Sequence, residues 1–276
     1  MSDNHSPSPS FSPSSFFGNV PEGGNFLPEG HIHVWRAIVD IPVARLQVYQ
    51  ETLSPDERAR AQRFKNSTHR RRFAAARGIL RHILARYLRT SPGEIRFQSG
   101  PFGKPLLQDP VGHPLHFNVA HSQQLAVYAI SRDFEVGIDL EGDRNSLDYA
   151  RLAERICSPE ELATFQKLSQ AEQLAAFFRC WTRKEAFVKA MGKGFSFPLK
   201  NVRVSFTTDE PPQILNPRLS LSPTFLIGEP SETGSQGHPP GDWSLFNLPL
   251  GQGFWGALAV AGKPSRIQGW DYHLDD

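Results

Sequence analysis

A long helical segment followed by strands occurs twice along this chain, and this repetition limits the fold more than any other feature. The first helical segment runs from Thr68 to Leu88 and ends before a Ser-Pro-Gly breaker. The second runs from Gln170 to Met191 and stops at a glycine. This order of elements predicts an α+β fold with two similar α+β lobes, of which the first ends near Val136.

Local patterns indicate the strands and the helix starts. Ser54 and Ser158 each precede a proline and are followed three residues later by a glutamate, which predicts two capping boxes. Apolar runs bounded by polar turns predict strands. The predicted strands are His31–Val39, Glu94–Gln98, Leu115–Val119, Leu125–Ser131, Glu135–Glu141, Val202–Phe206, Trp243–Leu248 and Phe254–Val260.

Composition divides the chain into segments. Residues 1–30 are rich in Ser, Pro, Gly and Asn, and such a stretch buries too little apolar area to offset its ordering entropy, so we expect a disordered tail. Residues 31–136 are expected to form the N-terminal lobe and residues 137–276 the C-terminal lobe. Within the second lobe, residues 216–241 are rich in Pro, Gly and Ser, which predicts a mobile insertion.

The overall composition limits the class of protein. The formal net charge is only +2, so the chain as a whole does not resemble a nucleic-acid binder. No apolar run is long enough to span a membrane. A secretory signal begins with Lys or Arg residues, whereas the first Lys or Arg of this chain is Arg36. Cys157 and Cys180 do not form a CxxC pair, so neither a disulfide framework nor a zinc site is expected, and a reducing cytoplasm suits the chain.

Two carboxylates share one face of a predicted strand. Side chains alternate along a strand, so Asp139 and Glu141 point to the same side. Close carboxylates repel unless a positive charge lies between them, and oxygen ligands suit a hard cation such as Mg²⁺. The alternative is a solvated strand face that ends in acidic turn residues.

A third carboxylate lies on the apolar stripe of the second long helix. Trp181 belongs to this stripe, Glu185 is its next position, and Lys189 follows one turn later on the same side. A carboxylate on a buried face needs a partner or a metal. The alternative is an ordinary Glu–Lys pair at the rim of the core.

Two further segments contain polar and basic residues. The predicted strand that ends with His121 has a polar corner, although a histidine at a strand end is more often structural than catalytic. The first long helix begins with basic residues that include Arg72, and Arg60 precedes it. Some of these side chains are expected in solvent, and others could meet phosphate.

Taken in order, these motifs resemble those of the Sfp-type phosphopantetheinyl transferases, the long, monomeric class with two related lobes. The core signature of that family is a GIDxE strand followed by WxxKEAxxK and a Gly-x-Gly turn. Here the chain has GIDLE at 137–141, WTRKEAFVK at 181–189 and GKG at 192–194, with LSPDER, FGKP and FNVAHS upstream in the family's order. The likeness extends from about residue 31 to the C-terminus, without the 216–241 insertion.

The resemblance implies a pseudo-twofold arrangement of the two lobes, with the active site in the cleft between them. It implies transfer of 4'-phosphopantetheine from coenzyme A to a serine of an apo acyl or peptidyl carrier protein, with release of 3',5'-ADP. The implied metal is Mg²⁺, with Mn²⁺ as a substitute. A monomeric cytoplasmic enzyme without nucleic-acid or membrane partners is expected.

The resemblance also implies a role for each site residue. Asp139, Glu141 and Glu185 are the implied metal ligands. Glu185 and Lys189 are the implied catalytic residues: either Glu185 or a metal-bound water takes the serine proton, and Lys189 offsets charge on the leaving group. The residues implied to bind coenzyme A are Arg60, Arg72, Lys104, His121, Asp139 and Lys184.

Two positions of the chain depart from the family pattern. Ala120 and Gln123 stand where the family commonly has the first serine and the glycine of its Ser-His-Ser-Gly box.

A non-catalytic module of the same fold, binding coenzyme A or a carrier protein, is the first alternative function, and a metal-dependent nuclease is the second. For the carrier-binding surface, we expect exposed apolar positions between Leu147 and Phe165.

Overall fold

The structure is a computed structural model of the whole chain. The residues it describes are 16–18, 27–100, 102–108, 115–143, 148–194, 197–216 and 242–273. The predicted mobile insertion falls almost wholly outside these ranges, as does most of the predicted disordered tail.

The described residues form an α+β fold, as predicted. The helices are α1 Val43–Thr52, α2 Pro55–Gln62, α3 Ser67–Leu88, α4 Tyr149–Ile156, α5 Pro159–Gln166 and α6 Gln170–Ala190. The strands are β1 Phe17–Gly18, β2 His31–Ile38, β3 Phe97–Ser99, β4 Pro105–Leu107, β5 His116–Ser122, β6 Leu125–Ser131, β7 Val136–Gly142, β8 Trp243–Asn247, β9 Phe254–Ala261 and β10 Arg266–Asp271. No helix of the described part has the length and hydropathy needed to cross a bilayer.

The strands form two main sheets and a short hairpin. The larger sheet has the order β1-β10-β2-β6-β5, the smaller sheet has the order β7-β9-β8, and β3 pairs with β4. The proposed lobe boundary at residue 136 falls between the sheets, since β7 begins the smaller one. However, β10 pairs in parallel with β2, so residues 266–271 join the sheet of the N-terminal half rather than that of the C-terminal half.

Alternating side chains give the larger sheet two buried faces. Val34 and Val127 face the smaller sheet, while Trp35 and Tyr128 on the same strands face α1 and α3. The smaller sheet likewise places alternate residues of β9 against α4 and α6. The protein is therefore layered as helices, larger sheet, smaller sheet and helices, with apolar cores between the layers.

The predicted strands match the structure where hydrophobic periodicity is strong. They differ where backbone amides donate hydrogen bonds to side chains instead of to a neighbouring strand. At 202–206 the structure has only an isolated bridge between Val204 and Ile214. The amide of Val204 donates to Glu161 Oε1 at 2.8 Å, and the amide of Arg203 donates to Asn216 Oδ1 at 2.7 Å. Strand Glu94–Gln98 was predicted too early, because residues 92–94 form a 3₁₀ turn and β3 begins at Phe97.

Both predicted capping boxes are confirmed. The Ser54 amide donates to Glu57 Oε2 at 2.8 Å, and the Ser158 amide donates to Glu161 Oε2 at 2.7 Å. Each glutamate also has a second role in the core. Glu57 pairs with Arg77 and with the buried Arg81, and these ion pairs join α2 to α3. Burial opposes the ionisation of Glu57, but the two cations and the Ser54 amide outweigh it and lower the pKa of Glu57.

Part of the predicted disordered tail is packed on the larger sheet. Phe16 is buried, Leu27 is almost completely buried, and Phe17–Gly18 pair with β10. The Arg36 guanidinium lies 4.3 Å from the Phe17 ring centre, a cation–π contact. The prediction of disorder is therefore wrong for these residues. The stretch is rich in Ser and Pro on average, but its few large apolar side chains bury enough surface to hold them against the sheet.

Gly137 allows α6 to contact β7 directly. A Cβ atom at this position would overlap the carbonyl oxygen of Ala186 and the amide nitrogen of Ala190. Both of these are backbone atoms of a buried helix, which cannot move aside as the end of a flexible side chain can. Only glycine therefore fits here without separating the helix from the strand.

We expect Gly137→Ala to destabilise the protein, because the added methyl group must push α6 away from β7. Overpacking of this kind costs about 1–3 kcal/mol and can cost more where backbone is displaced. Gly93→Ala is the matched control, since nothing lies within 4 Å of a Cβ built there. Urea unfolding followed by circular dichroism measures both variants; equal unfolding midpoints would contradict the proposed close approach.

Candidate active site

Strand β7 presents two carboxylates to helix α6. Val136, Ile138 and Leu140 face the core between the sheets, as the alternation predicts. Asp139 and Glu141 lie on the opposite face, on the same side as Gly137, where α6 packs. The glycine therefore provides the contact, and the two acids line the edge of the helix–strand junction.

Asp139 is buried and is paired through only one of its oxygens. Its Oδ1 accepts a hydrogen bond from Lys189 Nζ at 2.7 Å, and Lys189 also donates to the Ile138 carbonyl at 3.2 Å. The other oxygen, Oδ2, is buried without a hydrogen-bond partner among the described residues. A buried carboxylate oxygen without a partner costs free energy, so this atom has the features of a ligand site for a cation.

Glu185 extends from α6 toward the same two acids. Its pKa is raised to about 7, first by burial and then by the negative charges of Asp139 and Glu141, while Lys189 lowers it. These charges act on one another because the four groups share one small region. The structure thus places the three carboxylates predicted to bind the metal, and the predicted lysine, within range of one another's charge.

Strand β5 supplies polar groups to β7 from the larger sheet. Asn118 Oδ1 accepts from the Ile138 amide at 2.9 Å. Ser122 Oγ donates to Glu141 Oε2 and accepts from the Gly142 amide, both at 3.1 Å. The FNVAHS segment therefore joins the two sheets through side chains and orients one of the acids.

Gln123 occupies the position at which the family box commonly has glycine. It has φ = 53°, the left-handed conformation that glycine adopts most easily. Its side-chain amide donates to the Asp143 carbonyl at 3.0 Å, which ties the β5–β6 turn to the end of β7. The glutamine thus keeps the backbone geometry of the turn and adds one bond.

Basic groups surround His121 at the end of β5. Its ring is exposed in part, yet its pKa is lowered, first by desolvation and then by the positive charges of Lys189, Arg60 and Arg72. Arg72 forms a two-point ion pair with Asp40, with distances of 2.7 and 2.6 Å. Lys189, Arg60 and Arg72 therefore contribute to one positive region, in which the neutral form of His121 is favoured.

Lys104 lies at the beginning of β7, away from Asp139. Its ammonium donates to Glu135 Oε2 at 2.8 Å, to the Val136 carbonyl at 3.3 Å and to the Ala190 carbonyl at 3.4 Å. Val136 and Asp139 are three residue steps apart, which is about 10 Å along β7. Lys104 therefore lies along the same strand as the acids rather than among them.

Lys184 is not part of this cluster, and its predicted contact with coenzyme A is corrected. The side chain is completely buried on another face of α6 and donates to Glu161 Oε2 at 2.5 Å and to the Ile156 carbonyl at 2.8 Å. A helix turns about 100° per residue, so Lys184 and Glu185 point in different directions. The sequence motif includes both residues, but the helix brings only Glu185 to the acids.

The apolar surface expected between Leu147 and Phe165 is also corrected. Leu147 lies outside the described residues, Leu152 and Leu162 are half-buried, and Phe165 is buried against α6. Exposed large apolar side chains occur elsewhere in the described part of the chain. They are Ile38, Val43, Val48, Phe102, Leu106 and Leu215.

Sequence reasoning did not assign a role to several polar residues at the site. Asn118, Ser122 and Glu135 contact β7 or its partners, and Asp40 pairs with Arg72. A signal was present for Asn118 and Ser122, since polar side chains in an otherwise apolar strand must find hydrogen-bond partners. Asp40 and Glu135 had no such signal, because their partners are distant in sequence.

Comparison with known proteins gives consistent matches along the chain. The family model of the 4'-phosphopantetheinyl transferase superfamily matches residues 135–233, and a model of the 4'-phosphopantetheinyl transferase N-terminal region matches residues 42–133. The 4'-phosphopantetheinyl transferase HetI of Nostoc sp. strain PCC 7120 is 38% identical over 247 residues, which is 89% of this chain and 94% of HetI.

Two further relatives match over shorter stretches. A putative 4'-phosphopantetheinyl transferase of Synechocystis is 37% identical over 176 residues, covering 64% of this chain and 70% of the relative. The 4'-phosphopantetheinyl transferase Sfp of Bacillus subtilis is 29% identical over 179 residues, covering 64% of this chain and 77% of Sfp. Because the HetI match extends along nearly all of both chains, this protein belongs to the 4'-phosphopantetheinyl transferase superfamily.

Proposed function

We propose that this protein transfers 4'-phosphopantetheine from coenzyme A to a serine hydroxyl of an apo acyl or peptidyl carrier protein and releases 3',5'-ADP. The observation that carries the proposal is the group formed by Asp139, Glu141, Glu185 and Lys189, in which one buried Asp139 oxygen has no hydrogen-bond partner among the described residues. Family membership and the names of the relatives support this choice of reaction.

Mg²⁺ is the proposed metal, with Mn²⁺ as a substitute, and Asp139, Glu141 and Glu185 would hold it. All the donor atoms are carboxylate oxygens, which a hard divalent cation prefers. The fit rests on Asp139 Oδ2, which has no partner among the described residues, and on the acids around Glu185, whose pKa is raised first by burial and then by the charges of Asp139 and Glu141. When bound, the ion offsets the negative charge of the pyrophosphate.

Glu185 and Lys189 are the proposed catalytic residues. Glu185 takes the proton of the carrier serine, directly or through an intervening water, and its position among the acids at the end of the helix–strand contact suits that role. Lys189 is one helical turn further along α6 and is already oriented by Asp139 and the Ile138 carbonyl. Its ammonium offsets charge that grows on the leaving phosphate.

Coenzyme A is proposed to lie along β7 and the end of β5, with Asp139 beside its pyrophosphate. Arg60 and Arg72 contribute positive charge there, His121 offers a ring nitrogen for hydrogen bonding, and Lys104 lies at the other end of the strand. Phosphate groups need positioning and charge neutralisation more than covalent help. Lys184 is left out of this set because it is buried in another ion pair.

The two halves of the chain are proposed to form a pseudo-twofold arrangement with the active site in the cleft between them. The contact of Ser122 with Glu141 supports this, because it joins the last residue of β5 in one half to β7 in the other. A monomer in the cytoplasm, with no nucleic-acid or membrane partner, completes the proposal.

The two alternative functions, a binding module and a nuclease, require different properties of the site. A module that only binds coenzyme A needs no group to offset charge on the leaving phosphate. A metal-dependent nuclease would show DNA binding that falls steeply with salt. Incubating the protein with Mg²⁺, coenzyme A and an apo carrier protein, and then weighing the carrier by mass spectrometry, separates a transferase from both alternatives, because only a transferase adds phosphopantetheine.

Removing the charge of one proposed metal ligand should abolish most of the transfer. We expect Asp139→Asn and Glu185→Gln each to lower kcat by at least about 10²-fold, the usual effect of losing one electrostatic contact to a developing charge. Mn²⁺ binding, measured by electron paramagnetic resonance, should weaken in both variants. Glu94→Gln, at an exposed 3₁₀ turn, is the control. Near-normal kcat in a folded Asp139 or Glu185 variant would show that the metal site is assigned wrongly.

Lys189 should matter for the rate more than for binding. We expect Lys189→Met to lower kcat by about 10²-fold while changing the Kd for coenzyme A only slightly, since the interaction strengthens as the bond breaks. Lys189→Arg should restore little, because a planar guanidinium cannot occupy the same point. Steady-state kinetics and calorimetric titration measure the two effects. A rim ion pair without a catalytic role predicts normal kcat and only a lower melting temperature.

The 3'-phosphate of coenzyme A gives a test of the basic residues. If Arg72 or Lys104 contacts this phosphate, its replacement by alanine should weaken binding of coenzyme A by about tenfold to a hundredfold and leave dephospho-coenzyme A almost unaffected. Lys263→Ala is the control, because its side chain is largely exposed. Equal losses for the two ligands would locate the residue at the pyrophosphate or give it a structural role.

A further inference from the structure

The two cysteines of the chain meet in the core of the C-terminal half. Cys157 follows the last residue of α4, and Cys180 lies in the middle of α6. Their Sγ atoms are 3.9 Å apart, and the two residues are 3% and 0% exposed. Although 23 residues separate them in sequence, the packing of α4 on α6 leaves their sulfurs in contact.

A buried ammonium group lies beside this pair. Lys184, one turn after Cys180, donates to the carbonyl of Ile156, the residue before Cys157. The hydrogen bond from Cys180 lowers the pKa of Cys157, burial opposes this, and the charge of Lys184 lowers it further. Burial raises the pKa of Cys180. The surroundings therefore favour Cys157 as the thiolate and Cys180 as the thiol that reacts second.

A metal ion is the competing occupant, since Glu161 lies close enough to both sulfurs to complete a three-ligand site. However, both oxygens of Glu161 already accept hydrogen bonds. Oε1 accepts from the Val204 amide at 2.8 Å, and Oε2 accepts from the Ser158 amide at 2.7 Å and from Lys184 at 2.5 Å. A cation would have to break the capping box of α5 and lie beside an ammonium, so the surroundings favour sulfur chemistry without a metal.

We propose that Cys157 and Cys180 form a reversible intrachain disulfide when the protein meets a hydroperoxide. The Cys157 thiolate attacks one peroxide oxygen; an S–O bond forms, the O–O bond breaks, and hydroxide leaves. The Cys180 sulfur then attacks the Cys157 sulfur; the S–S bond forms, the S–O bond breaks, and water leaves with the Cys180 proton. The two thiols are oxidised by two electrons, and hydrogen peroxide is reduced to two molecules of water.

The geometry requires only a local movement. The sulfurs must approach from 3.9 Å to about 2.05 Å, and both lie in one well-packed cluster that already holds the ends of their side chains together. Hydrogen peroxide is close to water in size, so local opening of α4 gives it access. The bridge would tie α4 to the helix that also contains Glu185 and Lys189.

Mass spectrometry tests the inference on the full wild-type chain. The reduced protein is treated with hydrogen peroxide in native buffer, denatured, and alkylated at any remaining thiol. We expect the mass to fall by two hydrogen atoms, no cysteine to be alkylated, and a non-reducing digest to contain the peptides of Cys157 and Cys180 joined together. Dithiothreitol should then restore both alkylatable thiols.

Single variants and metal titration complete the test. Cys157→Ser and Cys180→Ser should each show no joined peptide after the same treatment. The proposal is overturned if both wild-type thiols are still alkylated, or if oxidation gives only sulfinic acid or dimers joined between chains. A thiolate-to-metal charge-transfer band on adding Cd²⁺ to the folded wild type would also overturn it in favour of the metal site. Because these outcomes are read on the wild type, they hold even if a serine variant fails to fold.

Discussion

The site depends on the contact between α6 and β7 at Gly137. Because this residue has no side chain, the helix backbone rests directly against the strand, and residues further along both elements meet at short range. Asp139 and Glu141 continue from the glycine along one strand face, and Glu185 and Lys189 lie on the helix above them. A helix held further away by a single methyl group would lose the Lys189–Asp139 hydrogen bond of 2.7 Å. Backbone packing thus determines the electrostatics.

The distribution of charge around this contact is uneven. One lysine among three acids leaves a net negative region, and this charge adds to burial in raising the pKa of Glu185. On the other side, the positive charges around His121 add to desolvation in lowering the pKa of that histidine. Opposite charges placed next to each other suit a ligand that brings both a divalent cation and several phosphate oxygens.

Much of this arrangement could be predicted from sequence because it depends on local periodicity. Strand alternation placed Asp139 and Glu141 on one face, and helical spacing placed Glu185 and Lys189 on one side. The same reasoning about single motifs failed for Lys184, whose direction depends on which face of α6 meets α5. It also could not foresee the contact between the cysteines or the bond from Ser122 to Glu141, since both join elements whose relative position is set by tertiary packing.

The position of β10 has a consequence for how the molecule is assembled. This strand lies between β1 and β2 in the larger sheet, and its Asp271 pairs with Arg36, 235 residues earlier in the chain. During synthesis, the N-terminal half emerges with β2 still open at one edge, and that edge can be filled only after the C-terminal strand has been made. Contacts of such large sequence separation form slowly. The unfilled edge of β2 is therefore the surface of the nascent chain most exposed to pairing with other strands, and chaperone binding there would protect it.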